Sequence, residues 1–406
     1  MTHYSQPYWL TRIPKRRRPS WPRLTDALAC DAVIIGGGLT GCVTAYLFAA
    51  AGVRTCLLEA DRIGQGAAGA DTGMVRPHPA ARYADFERAH GRRTARQAWG
   101  LSRHAALDFA ALVRRLRIRC DLEARDLYAI AWTEQDEAAL RREHKALAGA
   151  GLDGVWFSAA RLSRDLEVEA RGGLRIAGGA HIDPYRACLG FARAAEARGA
   201  QLFERSPVRR VRAGSVGVEI DTHGGPLAAR MVIVATGGPG PLFGPLQRHF
   251  RALHTYRALT PPLDAAHRRQ SGRHDAALTV AHDPSRLIVR TKDDRLLSAG
   301  ADQRVVPDRR RPRAVVQRTG QLMYELSLVY PEISGIPPDF GWDAPASATS
   351  DGVMYAGPHR NYPSHLFALG AGHQGPAAAF LAARILLRRV LGSPEAGDGV
   401  FGFSRA

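Results

Sequence analysis

"VIIGGGLTGCVTAYLFAAAG", residues 33–52, is the stretch from which the fold can be read. Residues 31–35 form a short, mostly apolar run that ends at glycine, as a strand buried in a parallel sheet does. Gly36, Gly38 and Gly41 supply the spacing G-x-G-x-x-G, an apolar helical run follows to Gly52, and a second strand, RTCLLE, closes on Glu59. Strand, glycine turn, helix, strand and acid in this order describe a dinucleotide-binding βαβ unit. Gly36 permits the turn, Gly38 lets a pyrophosphate approach the backbone, and Gly41 allows the helix to pack closely on the strand. The helix start at Leu39 and Thr40 offers its positive end to phosphate, and Glu59, followed by Ala60, can accept hydrogen bonds from a ribose diol.

The rest of the chain suits a soluble α/β protein. Its 406 residues are 45% hydrophobic and 23% charged, enough for two domains or one large discontinuous one. The apolar stretches are interrupted before the roughly 20 residues of a membrane span, and no apolar core follows the basic N-terminal cluster as in a signal peptide. A cytoplasmic protein without an integral membrane segment is expected. Five cysteines without a CxxC pair argue against a disulfide framework or zinc site, and no metal is expected. The formal charge of +18 invites a nucleic-acid reading, but only three of the 56 basic residues are lysines. The arginines are scattered among acidic neighbours, so a basic surface is expected rather than nucleic-acid binding.

After Glu59 the chain continues as ADRIGQGAAGADTGMVRPHP, residues 60–79, small residues that can bring backbone amides against a large flat ligand. With this segment the sequence resembles the FAD-dependent D-amino-acid oxidase and glycine oxidase superfamily, the DAO family. Gly64, Gly66, Gly69 and Gly73 match the family's glycines, whereas Ala68 and Asp71 depart from its usual serine and asparagine. The resemblance implies that Gly66, Ala67, Ala68, Thr72, Gly73 and Met74 run along the flavin. Some relatives attach FAD through a histidine where this chain has Ala70, so FAD is expected to be held non-covalently.

Three later segments match in order: residues 178–211, which bring Val208 to the adenine; residues 229–238, which bring Thr236 and Gly237 back to the cofactor; and residues 350–380. In the last, Gly370, Gly372, His373, Gln374 and Gly375 precede a helix that Pro376 opens, aimed at the flavin's N1 and C2 carbonyl edge. The implied fold is α/β: a discontinuous Rossmann-type FAD-binding domain (1–82, 150–240, 340–406) with an inserted α+β substrate domain (83–149, 241–339) built on an antiparallel sheet.

The resemblance implies an FAD-dependent oxidoreductase that oxidises the C–N bond of a small amine or amino acid, giving an imine that hydrolyses. The acceptor would be oxygen, a quinone or a carrier protein. Arg290, in RLIVRTKDDR, is the expected carboxylate anchor. Tyr256 and His254 fall where the family's strand passes near substrate, His373 can tune the flavin, and Arg76 and His78 lie just beyond the flavin-facing glycines. Ser298 stands where some family oxidases carry an oxygen-activating lysine. The opening YWL and closing GVFGFSR are similar to the γ-glutamylputrescine oxidase-like branch. Two alternatives remain open: the same fold acting on a modified tRNA base, or a flavoprotein subunit that requires a partner.

Overall fold

The computed structural model describes residues 1–214 and 217–405. Leu28–Ile35 sits inside an eight-stranded sheet, parallel to Thr55–Leu58 on one side and to Pro226–Gly237 on the other. Gln201–Phe203 and Tyr362–Leu369 extend the parallel set outward. Both faces are covered, which explains the unbroken apolar run in the sequence. Val33, Ile35, Cys56 and Leu58 point into one cluster; Ala32, Ile34 and Leu57 point into another, beneath the helices. Leu39–Ala50 packs between Pro184–Glu196 and Gly375–Val390, and Arg92–Arg115 packs against the last of these. All five cysteines are buried and unpaired. No helix among the described residues is long and apolar enough to cross a membrane.

The helix Leu39–Ala50 is held against its sheet through glycines. A Cβ on Gly41 would lie 1.8 Å from the Gly36 carbonyl oxygen, and one on Gly36, whose φ is +110°, would lie 2.7 Å from the Ala235 carbonyl oxygen. Gly38 has nothing within 4 Å of its Cβ position. Adjacent glycines therefore serve opposite ends: two close the packing and one leaves space.

A second sheet of nine strands runs His3–Tyr4, Phe340–Thr349, Phe250–Leu259, Leu296–Arg304, Asp283–Arg290, Ala276–Val280, Asp126–Ala131, Gly172–Ile176 and Val155–Ser158. Its core is antiparallel, as the alternating segment after residue 250 predicts. Leu287, Val289, Leu297 and Ala299 face the helices of the first sheet; Tyr256, Ala258, Ile288 and Leu296 face the helix Arg311–Val329. Sheet membership differs from the segment boundaries read from sequence. Strands 155–158 and 172–176 belong to this sheet, so the first excursion runs beyond residue 149. Phe340–Thr349 belongs to it too, and His3–Tyr4 joins its edge. Helix Arg92–Arg115, in contrast, lies with the first sheet's helices. Short strands and two-sided helices carry little periodic signal of which sheet they join.

Asp183 caps the helix Pro184–Glu196 by accepting the Arg186 N–H at 2.9 Å, and it is fully buried. Burial raises its carboxyl pKa to about 6, against the pull of Arg12 and Arg186. A pKa raised above the unfolded value means that ionised Asp183 costs stability above pH 6, and that this cost is relieved as pH falls toward 4. Melting temperatures of the parent and Asp183→Asn between pH 4 and 8 should show the parent gaining on the variant as pH falls; a constant difference would refute this. Gly41→Ala should destabilise by about 3 kcal/mol or more. Gly38→Ala should cost less than about 1 kcal/mol. Denaturant unfolding of the two variants checks the contrast.

Candidate active site

The helix Leu39–Ala50 begins without a side-chain cap at Gly38, so its leading N–H groups face outward into a cleft of about 420 Å³. Gly36, Gly38, Leu39 and Thr40 form one end, with Glu59 and Ala60 beside them. Glu59 is oriented by the Gly37 and Asp61 N–H groups, at 2.6 and 2.9 Å. Val208, Thr236 and Gly237 line the floor, Gly66, Ala67 and Ala68 one wall, and Gly372, Gly375 and Pro376 the far end. There the helix Gly375–Val390 also starts without a side-chain cap, with proline in its first turn. Two bare helix starts thus face one elongated cleft.

The wall at residues 64–75 is rich in glycine and alanine and is held by other segments. Trp9 Nε1 donates to the Asp71 carbonyl at 2.7 Å, and Trp342 Nε1 donates to the Ala70 carbonyl at 3.0 Å. A Cβ on Gly69 would meet Leu10 at 2.6 Å, one on Gly73 the Ile182 carbonyl oxygen at 2.1 Å, and one on Gly375 the Met74 carbonyl oxygen at 2.3 Å. Gly73 and Met74 therefore shape the wall without lining the cleft. The same holds for Gly370, which is packed against Thr349 and Phe250, and for Gln374, which donates to the Gly370 carbonyl at 3.3 Å. The side chain of His373 lies outside the described residues.

A second chamber continues from Gly372 and Gly375 toward the nine-stranded sheet, lined by Asp71, Thr72, Arg76, Thr255, Arg257, Ser285, Leu287 and Ala299. Arg257 is 6% exposed; its Nη1 donates to the Thr255 carbonyl at 2.9 Å, while its Nε finds no acceptor among the described residues. Burial lowers the pKa of Arg257, and that of Arg76 to about 10. Both remain cationic at neutral pH.

Three residues expected near substrate point elsewhere. Strand residues alternate faces, and the chamber takes Thr255 and Arg257 while their neighbours Tyr256 and His254 turn to the opposite side. Tyr256 packs in the cluster under Arg311–Val329 and accepts from Gln303 Nε2, and His254 Nδ1 lies 3.3 Å from Asp343. Arg290 is buried and donates to the carbonyls of Arg268, Ser271 and Gly272, at 2.9, 3.0 and 3.1 Å, so it ties down a loop. Ser298 pairs in register with Ala258 and Ile288 of that same opposite face. Lys292, 55% exposed, stands 3.9 Å from Asp121. His78 lies behind Arg76 in a further cavity; its Nδ1 contacts the Pro79 carbonyl, and burial lowers its pKa to about 4. Sequence reasoning missed Arg257, Thr255, Trp9 and Trp342. The alternation around Tyr256 was the available signal for the first two.

The residues fit FAD. The cleft is long, both helix starts face it without a side-chain cap, and Gly38 and Gly66 leave open space where a side chain would stand. Among relatives, the chain is 26% identical over 376 residues to glycine oxidase of Bacillus licheniformis, covering 90% of this chain and 94% of that protein. It is 27% identical over 237 residues to γ-glutamylputrescine oxidoreductase of Escherichia coli, covering 58% of this chain and 55% of that one. Among solved structures, glycine oxidase from Geobacillus kaustophilus superposes with a TM-score of 0.78 at 21% identity, over 93% of this chain and 99% of that one. Residues 31–389 match the DAO family of FAD dependent oxidoreductases, so the glycine turn, the bare-walled cleft and the second helix start are those of a member of that family, an enzyme that binds FAD.

Proposed function

We propose that the enzyme oxidises the C–N bond of a small amino acid whose carboxylate is held by Arg257. The observation that carries this reading is a buried guanidinium with an unmatched Nε, lining a chamber that Gly372 and Gly375 share with the cofactor cleft. A buried donor without a partner is costly, and a carboxylate on a guanidinium satisfies it through charge-assisted bonds. The similarity to glycine oxidase over nearly the whole chain agrees with an amino-acid substrate.

Bound FAD supplies the two-electron acceptor for the C–H bond beside the amine. The chain's own residues set the conditions for that transfer. Arg257 orients the substrate by its carboxylate. Arg257 and Arg76 together disfavour a third cation between them, so a substrate ammonium gives up its proton more readily and presents a neutral amine. Trp9 and Trp342 fix the wall at residues 70–71, and Leu287 and Ala299 close the chamber with apolar surface. The imine product hydrolyses in water. None of the chain's three lysines lines the cleft or the chamber, and the acceptor is oxygen, a quinone or a carrier protein.

Non-covalent attachment follows from Ala70, which has no nucleophile, and from the placement of His78 behind Arg76. Acid precipitation of the holoenzyme should leave the yellow flavin in the supernatant; a coloured pellet would show a covalent bond. Arg257→Ala should raise KM for an amino acid by roughly 30-fold or more, since breaking a buried charge pair costs about 2 kcal/mol or more. Arg290→Ala should lower the melting temperature and leave KM near the parent value. Steady-state kinetics of both variants test the assignment, and the reverse pattern would return the carboxylate to Arg290.

A further inference from the structure

Behind Arg76 lies a cavity that the oxidation itself does not use. It measures about 50 Å³, against about 20 Å³ for the chamber in front, and Arg76 forms a wall of both. Strands Asp126–Ala131 and Gly172–Ile176 supply Leu127, Ala129, Leu174 and Ile176, and Leu140 closes it from the helix Glu134–Gly149. Leu127 and Leu174 belong to the same buried cluster as Leu287 and Ala299 of the front chamber, so both cavities open on one face of the nine-stranded sheet. At roughly 10–15 Å³ for each water-sized group, the rear cavity holds about three to five such groups.

Its polar residues are already engaged. Glu143 accepts the Tyr83 and Ala84 N–H groups at 2.6 and 2.9 Å, one on each oxygen. Arg82 pairs at 2.9 Å with Asp85. Asp71 and Asp283 balance Arg76 electrostatically. A cationic tail would meet two guanidiniums and one carboxylate, Glu143, that already accepts two N–H groups; an aliphatic tail would meet leucine, isoleucine and alanine.

We infer that this rear cavity is a side-chain subsite, which makes the enzyme select amino acids with an unbranched or singly branched aliphatic side chain of up to about four carbons over glycine and over basic amino acids. The inference rests on the amino-acid reading above and adds the substrate's tail to it. Arg76 is then the positioning residue at the junction, with the carboxylate on one side and the tail passing to the other.

The test uses the holoenzyme and straight-chain carboxylates from acetate to heptanoate, which cannot be oxidised at an amine and are followed by their effect on the flavin spectrum. Each added methylene should lower Kd about three- to fourfold until the cavity is full, then the gain should stop. Flavin reduction by glycine, alanine, 2-aminobutyrate, norvaline and norleucine should follow the same profile, with lysine poor. Ala129→Leu fills the cavity and should flatten the length dependence; Leu140→Ala enlarges it and should move the plateau to longer chains. Either shift supports the subsite even if the other variant does not fold. A flat profile in the parent overturns the subsite while the amino-acid reading stands, and tighter binding of succinate than of butyrate overturns the aliphatic preference. Failure of every carboxylate, acetate included, to perturb the flavin overturns both readings.

Discussion

The contact between the Gly36 carbonyl and the Gly41 backbone is the constraint on which the cofactor end of the molecule depends. A side chain on Gly41 would stand 1.8 Å from that oxygen, and one on Gly36 would strike the Ala235 carbonyl, so turn, helix and neighbouring strand meet with no room for a methyl group. This closeness brings the uncapped start of the helix to the carboxyl end of the central strands. There its N–H groups can reach an anion that no side chain has to hold. The second uncapped helix, from Gly375, repeats the device at the other end of the cleft, again through close approach, here to the Met74 carbonyl.

A segment rich in glycine and alanine has few side chains with which to order itself. Residues 64–75 depend on Trp9 from the short helix Tyr8–Thr11 and on Trp342 from the nine-stranded sheet, each donating an indole N–H to a carbonyl of that segment. The indoles also bury large apolar surface there, and both are almost fully inaccessible. The wall of the cleft is thereby fastened to the sheet that lines the second chamber, and the two halves share one continuous core. Relative placement of cleft and chamber rests on this fastening.

The formal charge of +18 says little about the site. Several arginines form exposed ion pairs, such as Arg54 with Asp31 and Arg212 with Asp221, which contribute little to stability. Burial is what gives a few of them chemical weight. Arg290 and Arg257 are both buried with an unmatched Nε, but Arg290 gives its Nη2 to backbone carbonyls of a loop, whereas Arg257 lines the chamber. Between these two buried arginines, it is placement on the chamber that differs.

The glycine turn, the acid at Glu59, the small-residue wall and the second bare helix start were legible in the sequence because each is a local demand. A turn with positive φ, a helix start open to an anion and a backbone that must approach a ligand all select glycine at fixed spacing. Arg257 was not legible in that way. The strand Phe250–Leu259 has two usable faces, and nothing within it states which one meets the cofactor. Only the packing of Arg311–Val329 on one face, and of the helices of the first sheet on the other, turned Thr255 and Arg257 into the chamber and Tyr256, His254 and Ser298 away from it. The sequence by itself determined the cofactor's cradle; the tertiary structure decided the substrate's side, because a shift of one residue along a strand exchanges every side chain between its faces.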